Sequence, residues 1–248
     1  VGPLLGAALA ATFSLDVPFV VLSVLSGAVA LVLVFVPLPP TPVRTDRRSS
    51  ATASLRLLRS RRALGTALLS LALFLPVGIY DALFARYLTD RGLSTVFIGL
   101  TIALYSVPVI LVAPFGGRLA DRIGPVRAAT LGMLVIVPLT AVYGLIRWPA
   151  VFLVLAVVEG LPEGVASPAV QTAMVHAVGE DDMAAGQGLI NSLNQFGGAV
   201  VGLAAPWGYA ALGPPRLFAV AAAGMAAVFV LGTALVRSVG TPGTRSPT

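Results

Sequence analysis

Stretches of some twenty apolar residues, set apart by short charged connections, limit what this chain can fold into more than any other feature. An α-helix rises about 1.5 Å per residue, so about 20 apolar residues cross roughly 30 Å of hydrocarbon. Such stretches lie at 17–38, 64–88, 95–116, 127–146, 149–174, 184–210 and 215–236, after a shorter one at 1–14 that reads as a cut span. Composition removes the soluble alternative. Only 10% of the 248 residues are charged and 57% are hydrophobic, whereas soluble chains carry about 25% charge. Disordered chains are poor in apolar residues and rich in charge, the opposite of this pattern. The chain has no cysteine, which removes disulfide scaffolds and thiolate sites. The stretches are apolar on every face, unlike the alternating strands of a β-barrel, and in lipid a helix satisfies its own backbone amides. The expected fold class is therefore an all-α integral membrane protein, a polytopic bundle of about eight transmembrane helices.

Net charge is +6, yet its placement is not that of a nucleic-acid partner. All 16 basic residues are arginine, and seven crowd into Arg44, Arg47, Arg48, Arg56, Arg59, Arg61 and Arg62. The segments 38–63, 117–127, 175–183 and the C-terminus together hold twelve arginines, and the connections of the opposite side hold the four residues Arg86, Arg91, Arg147 and Arg216. Arginine accumulates in cytoplasmic connections, so the first set is expected in the cytoplasm of a multi-pass plasma-membrane protein. Val1 runs straight into apolar sequence with no basic residue before it, so the opening reads as the interior of a helix and not as a signal peptide. The Pro-, Arg- and Ser-rich stretch 39–63 is the one long linker. It divides the chain into a helix pair at 1–38 and a six-helix block at 64–237, with a tail at 238–248.

The connection Gly117-Arg118-Leu119-Ala120-Asp121-Arg122-Ile123-Gly124-Pro125-Val126-Arg127 resembles the loop signature of the major facilitator superfamily of secondary transporters. The opening Gly2-Pro3-x-x-Gly6 resembles the end of the antiporter signature of the proton-coupled drug exporters in that superfamily. The resemblance implies that the chain corresponds to helices five to twelve of a twelve-helix fold. The C-terminal six-helix half would be complete, and helices one to four of the same protein would be a missing partner. It also implies a conformational latch formed by Gly117, Asp121, Arg122, Gly124 and Arg127. In physical terms Asp121 can accept hydrogen bonds from arginine or from a helix N-terminus. Pro125 stands where the family usually has a basic residue, so the latch would lean on Arg122 and Arg127.

Ionisable groups in mid-membrane cost at least about 2.5–3.5 kcal/mol, so each needs a reason. Glu159 falls ten residues into its stretch, roughly 15 Å deep, and Glu163 shares its face one turn on. Two carboxylic acids buried so close together resist joint ionisation, as a proton carrier requires. Packing is the alternative role, favoured slightly for Glu163. Asp81, beside Tyr80, is either a substrate or proton site or a partner of Arg86 at the interface. Gln187, Asn191, Asn194 and Gln195 form a polar stripe at helical spacing that must face the bundle as glue or as a cavity wall; the resemblance favours the wall. His176 reads as a solvated loop residue. The substrate and proton pathway is thus expected at Tyr80, Asp81, Tyr105, Glu159, Glu163, Asn191 and Asn194.

No phosphate-cradling loop, metal constellation or catalytic triad occurs within the spans, so neither an enzyme nor a cofactor or metal is expected. The resemblance implies a secondary transporter that exchanges a small amphipathic molecule for protons by alternating access. The alternative is a truncated, non-transporting membrane remnant or interaction module.

Overall fold

The computed structural model describes residues 2–14, 16–36 and 55–238. Most of the expected central loop, with Arg44, Arg47 and Arg48, and the tail from 239 on, with Arg245, lie outside the described residues. The described chain is helical: α1 (Gly2–Thr12), α2 (Val17–Phe35), α3 (Arg61–Thr89), α4 (Thr95–Ile123), α5 (Pro125–Tyr143), α6 (Pro149–Val178) and α7 (Met183–Arg237). Six of these, α2 to α7, are long and apolar enough to cross a membrane.

Local chemistry sets the helix starts. Ser60 and Ser94 cap α3 and α4 by accepting hydrogen bonds from the backbone N–H of Ala63 and Phe97, which would otherwise lack partners. Pro125 and Pro149 open α5 and α6, where a missing N–H costs nothing. Two boundaries differ from those read in the sequence. The segment 117–123, expected in a connection, stays helical, and the turn between α4 and α5 is Gly124 alone, at φ 92° and ψ 139°. The helix continues because Ala120 is buried against Ala128 and Ala129 of the core while Asp121 and Arg122 face outward. The last two stretches are two helical arms within Met183–Arg237 that meet at Gly213, φ 71° and ψ 166°. Glycine adopts that backbone without strain, and Pro214 and Pro215 then begin the second arm.

The neighbours of α3 reveal the topology. Going along α3, Ser70, Gly78 and Tyr87 meet Asn194, Gly198 and Tyr209 in rising order. Gly65, Leu69 and Tyr87 meet Gly232, Gly232 and Phe218 in falling order. The first arm of α7 is thus parallel to α3 and the second antiparallel, so Gly213 closes a hairpin. At one end of the bundle, Arg56 binds both oxygens of Asp182 at 2.8 and 2.6 Å and Leu57 is buried among Met174, Ala185 and Leu189. At the other, Tyr87, Tyr143, Phe152, Phe218 and Tyr209 form an aromatic cluster. α1 packs on α4, whereas α2 buries no residue.

Candidate membrane-embedded site

Pro76 interrupts α3 one turn before the site. Beyond it, the Tyr80 N–H is shared between the carbonyls of Pro76 and Val77, and residues Tyr80–Phe84 form a wider π-type turn. Such turns re-aim side chains. Here Tyr80, Asp81 and Phe84 all line one cavity of about 330 Å³ between α3, α4, α5 and α6. Tyr105 of α4, Tyr143 of α5 and Glu159 of α6 complete its polar wall.

Glu159 is only 4% exposed. The Tyr80 hydroxyl donates to its Oε1 at 3.2 Å, and Tyr143 lines the same cavity wall. The Tyr143 ring meets Tyr80 and Phe84 edge-on, with centroids 5.7 and 6.1 Å away. Gly160 brings α6 directly against the carbonyl of Tyr105 and the ring of Pro108, which sets the spacing between α4 and α6 beside the carboxyl. Glu163 is half-buried one turn further, near Tyr105 and outside the cavity lining. Asp81 is exposed at the cavity and forms no ion pair among the described residues; Arg86 pairs instead with Asp90 at 3.9 Å.

Other residues singled out in the sequence lie elsewhere. Asn194 is buried, and its Nδ2 donates to Ser70 Oγ at 3.0 Å while its Oδ1 has no partner. Asn191 is exposed on the same arm of α7, and α7 lends no residue to the cavity. Gly117, Asp121, Arg122, Gly124 and Arg127 surround the α4–α5 turn, where Asp121, Arg122 and Arg127 are exposed and form no ion pair among the described residues. Gly2, Pro3 and Gly6 fall on α1, and a side chain at Gly6 would meet open space. His176 is exposed in the last turn of α6.

Sequence reasoning passed over Tyr143 and Phe84. A signal existed: all five tyrosines, at 80, 87, 105, 143 and 209, come together in the cavity or in the aromatic cluster beside it. Among the described residues no three His, Asp or Glu side chains gather as a metal site would require. The arrangement is an aromatic cavity with one buried, phenol-bound carboxyl and one accessible carboxyl. Such a wall offers flat apolar contact beside two acid groups.

The sequence profile of the Major Facilitator Superfamily matches residues 66–248. The quinolone resistance protein NorA of Staphylococcus aureus (strain N315) is 26% identical over 98 residues, 40% of this chain and 25% of the relative. An uncharacterized MFS-type transporter of Pseudomonas aeruginosa (strain LESB58) is 33% identical over 110 residues, 41% of this chain and 27% of the relative. The matched stretches thus span about a quarter of the length of these relatives.

Proposed function

The chain belongs to the major facilitator superfamily, and from that premise we propose that it is the proton-coupled, substrate-binding part of an exporter of small amphipathic molecules. The protein is a transporter and not an enzyme. In the proposed mechanism access to the cavity alternates between the two membrane faces as the halves of a twelve-helix protein rock about it. Four further helices, one to four, supply the facing wall. The protein resides in the plasma membrane with its C-terminus in the cytoplasm. Asp121, with Arg122 and Arg127, serves as a latch that engages in one state of the cycle.

One observation carries the reading: the Glu159 carboxyl, buried in mid-span, stands on the wall of an aromatic cavity that Asp81 shares. Glu159 binds and releases the proton, Asp81 meets the guest, and Tyr80, Phe84, Tyr105 and Tyr143 supply flat apolar contact. Glu163, Asn191 and Asn194 border this path, as packing and as the wall of its continuation. Quinolones are small and amphipathic, and NorA is named for resistance to them. A fluorescent quinolone is therefore the first substrate to try.

The test uses the full-length protein in sealed vesicles. Glu159→Gln mimics the protonated acid, so it should bind the quinolone and exchange it across the membrane without a pH gradient. It should lose accumulation driven by a pH gradient, a fall of at least about tenfold for a carrier that can no longer release its proton. If Glu159→Gln accumulates quinolone as the parent does, Glu159 is not the carrier, and Asp81→Asn becomes the variant to measure.

A further inference from the structure

The aromatic cluster at the end of the bundle reaches the proposed carrier through one backbone atom. Tyr143 is the last residue of α5, and the final carbonyls of a helix have no partner within it. The Tyr143 carbonyl is nevertheless satisfied, because the hydroxyl of Tyr87 donates to it at 2.6 Å. Tyr87 is fully buried and fixed on several sides. Its ring stands edge-on to Phe152 at 5.8 Å and against Phe218 at 5.4 Å. The Arg91 guanidinium lies 3.9 Å from its centroid, and Arg91 Nη2 donates to the carbonyl of Ile146 at 3.3 Å. Tyr87 and Arg91, one helical turn apart in sequence, thus hold the carbonyls of Tyr143 and Ile146 at the start and in the middle of the α5–α6 connection.

We infer that Tyr87, braced by Arg91, is a positioning residue for the carrier: by holding the end of α5 it keeps the Tyr143 ring against Tyr80, whose hydroxyl bonds Glu159, and so sets the pH range over which the site works. This rests on the proton-carrier reading of Glu159. Tyr87 itself lines no part of the cavity and touches neither Glu159 nor a guest. The titratable groups that face Glu159 are Tyr80 and Asp81 of α3, Tyr105 of α4, Tyr143 of α5 and Glu163 of α6 itself; α7 contributes none to the lining. Of these, Tyr143 is the one whose backbone carbonyl Tyr87 holds directly.

The variant that isolates the link is Tyr87→Phe, which keeps the ring and its contacts and removes one hydroxyl. In full-length protein in vesicles, quinolone accumulation is measured across a series of pH values for the parent, Tyr87→Phe, Tyr143→Leu and the double variant. Both single variants should displace the pH midpoint in the same direction, by about half a pH unit, the scale of one ordinary hydrogen bond. The double variant should move it no further, because both changes break the same chain of contacts. Arg91→Lys, which keeps the charge but not the planar donor, should give a smaller displacement in that direction. It is also the variant to rely on if Tyr87→Phe does not insert. A uniform loss of rate with an unmoved midpoint in Tyr87→Phe and Arg91→Lys would reduce Tyr87 to packing and overturn the inference. So would full additivity in the double variant. Glu159→Gln, measured alongside, separates the two ideas: if it still accumulates quinolone, the carrier reading fails, and if it does not while the midpoints stay fixed, only the positioning role fails.

Discussion

Asn194 and Glu159 are both polar side chains buried on helices long and apolar enough to cross a membrane, and the bundle accommodates them by different means. Asn194 bonds sideways to Ser70 across the α3–α7 contact and keeps one unpaired oxygen, whereas Glu159 stands on a cavity wall with a phenol directed at it. Interhelical hydrogen bonds in membrane proteins contribute about 0.6 kcal/mol on average and about 1.7 kcal/mol at most. Leaving a buried donor unpaired costs more than removing both partners. Ser70→Ala should therefore destabilise the protein by about 1 kcal/mol, and the double variant Ser70→Ala/Asn194→Leu, which removes both partners together, should stay within about 0.5 kcal/mol of the parent. Detergent-induced unfolding of the full-length protein measures both, and the opposite ranking would contradict a packing role for Asn194. The depth of Glu159 was legible in the sequence because it follows from counting residues along a span. The place of Tyr143 on the cavity wall was not, since that residue ends its span and joins Glu159 there only through the fold.

Helices were legible wherever twenty apolar residues ran together, and their ends were not. Charge at 118–122 reads as a connection in one dimension, yet α4 carries those charges on an outward face while Ala120 keeps packing inward. The π-type turn at Tyr80–Phe84 left no pattern in the sequence, because a local widening preserves the apolar run around it. Glycines separate more sharply once the neighbours are known. A Cβ at Gly160 would strike the Tyr105 carbonyl and lie 2.7 Å from Pro108 Cγ, while one at Gly117 would meet nothing within 4 Å. Backbone cannot yield as a flexible side chain does, so Gly160→Ala should cost about 1–3 kcal/mol and push Glu159 away from Tyr105. Gly117→Ala should be neutral or stabilising by up to about 1 kcal/mol, because alanine favours the helix. Thermal unfolding in detergent distinguishes the two. A Gly117→Ala protein as unstable as Gly160→Ala would show that the α4 end is packed in a way this arrangement lacks.

Among the described residues the connections around α3 to α7 sort into two groups at opposite ends of the bundle. Arg56 with Asp182, Leu57 with Ala185 and the approach of Gly65 to Gly232 gather one group. Arg91 with Ile146, Tyr209 with Asp90 and Gly144 against Pro214 gather the other. Packing alone is indifferent to which end faces the cytoplasm; the asymmetry comes from the arginines, twelve against four. Positive residues near the ends of short connections are retained on the cytoplasmic side during insertion, so the end bearing Arg56, Arg122 and Glu180 should lie inside and the Gly213 hairpin outside. These 248 residues contain no cysteine, so a thiol introduced among them stands alone there. Leu212 is 42% exposed beside the hairpin, and Glu180 is exposed in the α6–α7 turn. In intact cells a membrane-impermeant maleimide should label Leu212→Cys at once and Glu180→Cys only after permeabilisation. The reverse pattern would invert the topology, place the Tyr87–Arg91 cluster on the cytoplasmic side, and require the proton at Glu159 to be exchanged with the opposite compartment.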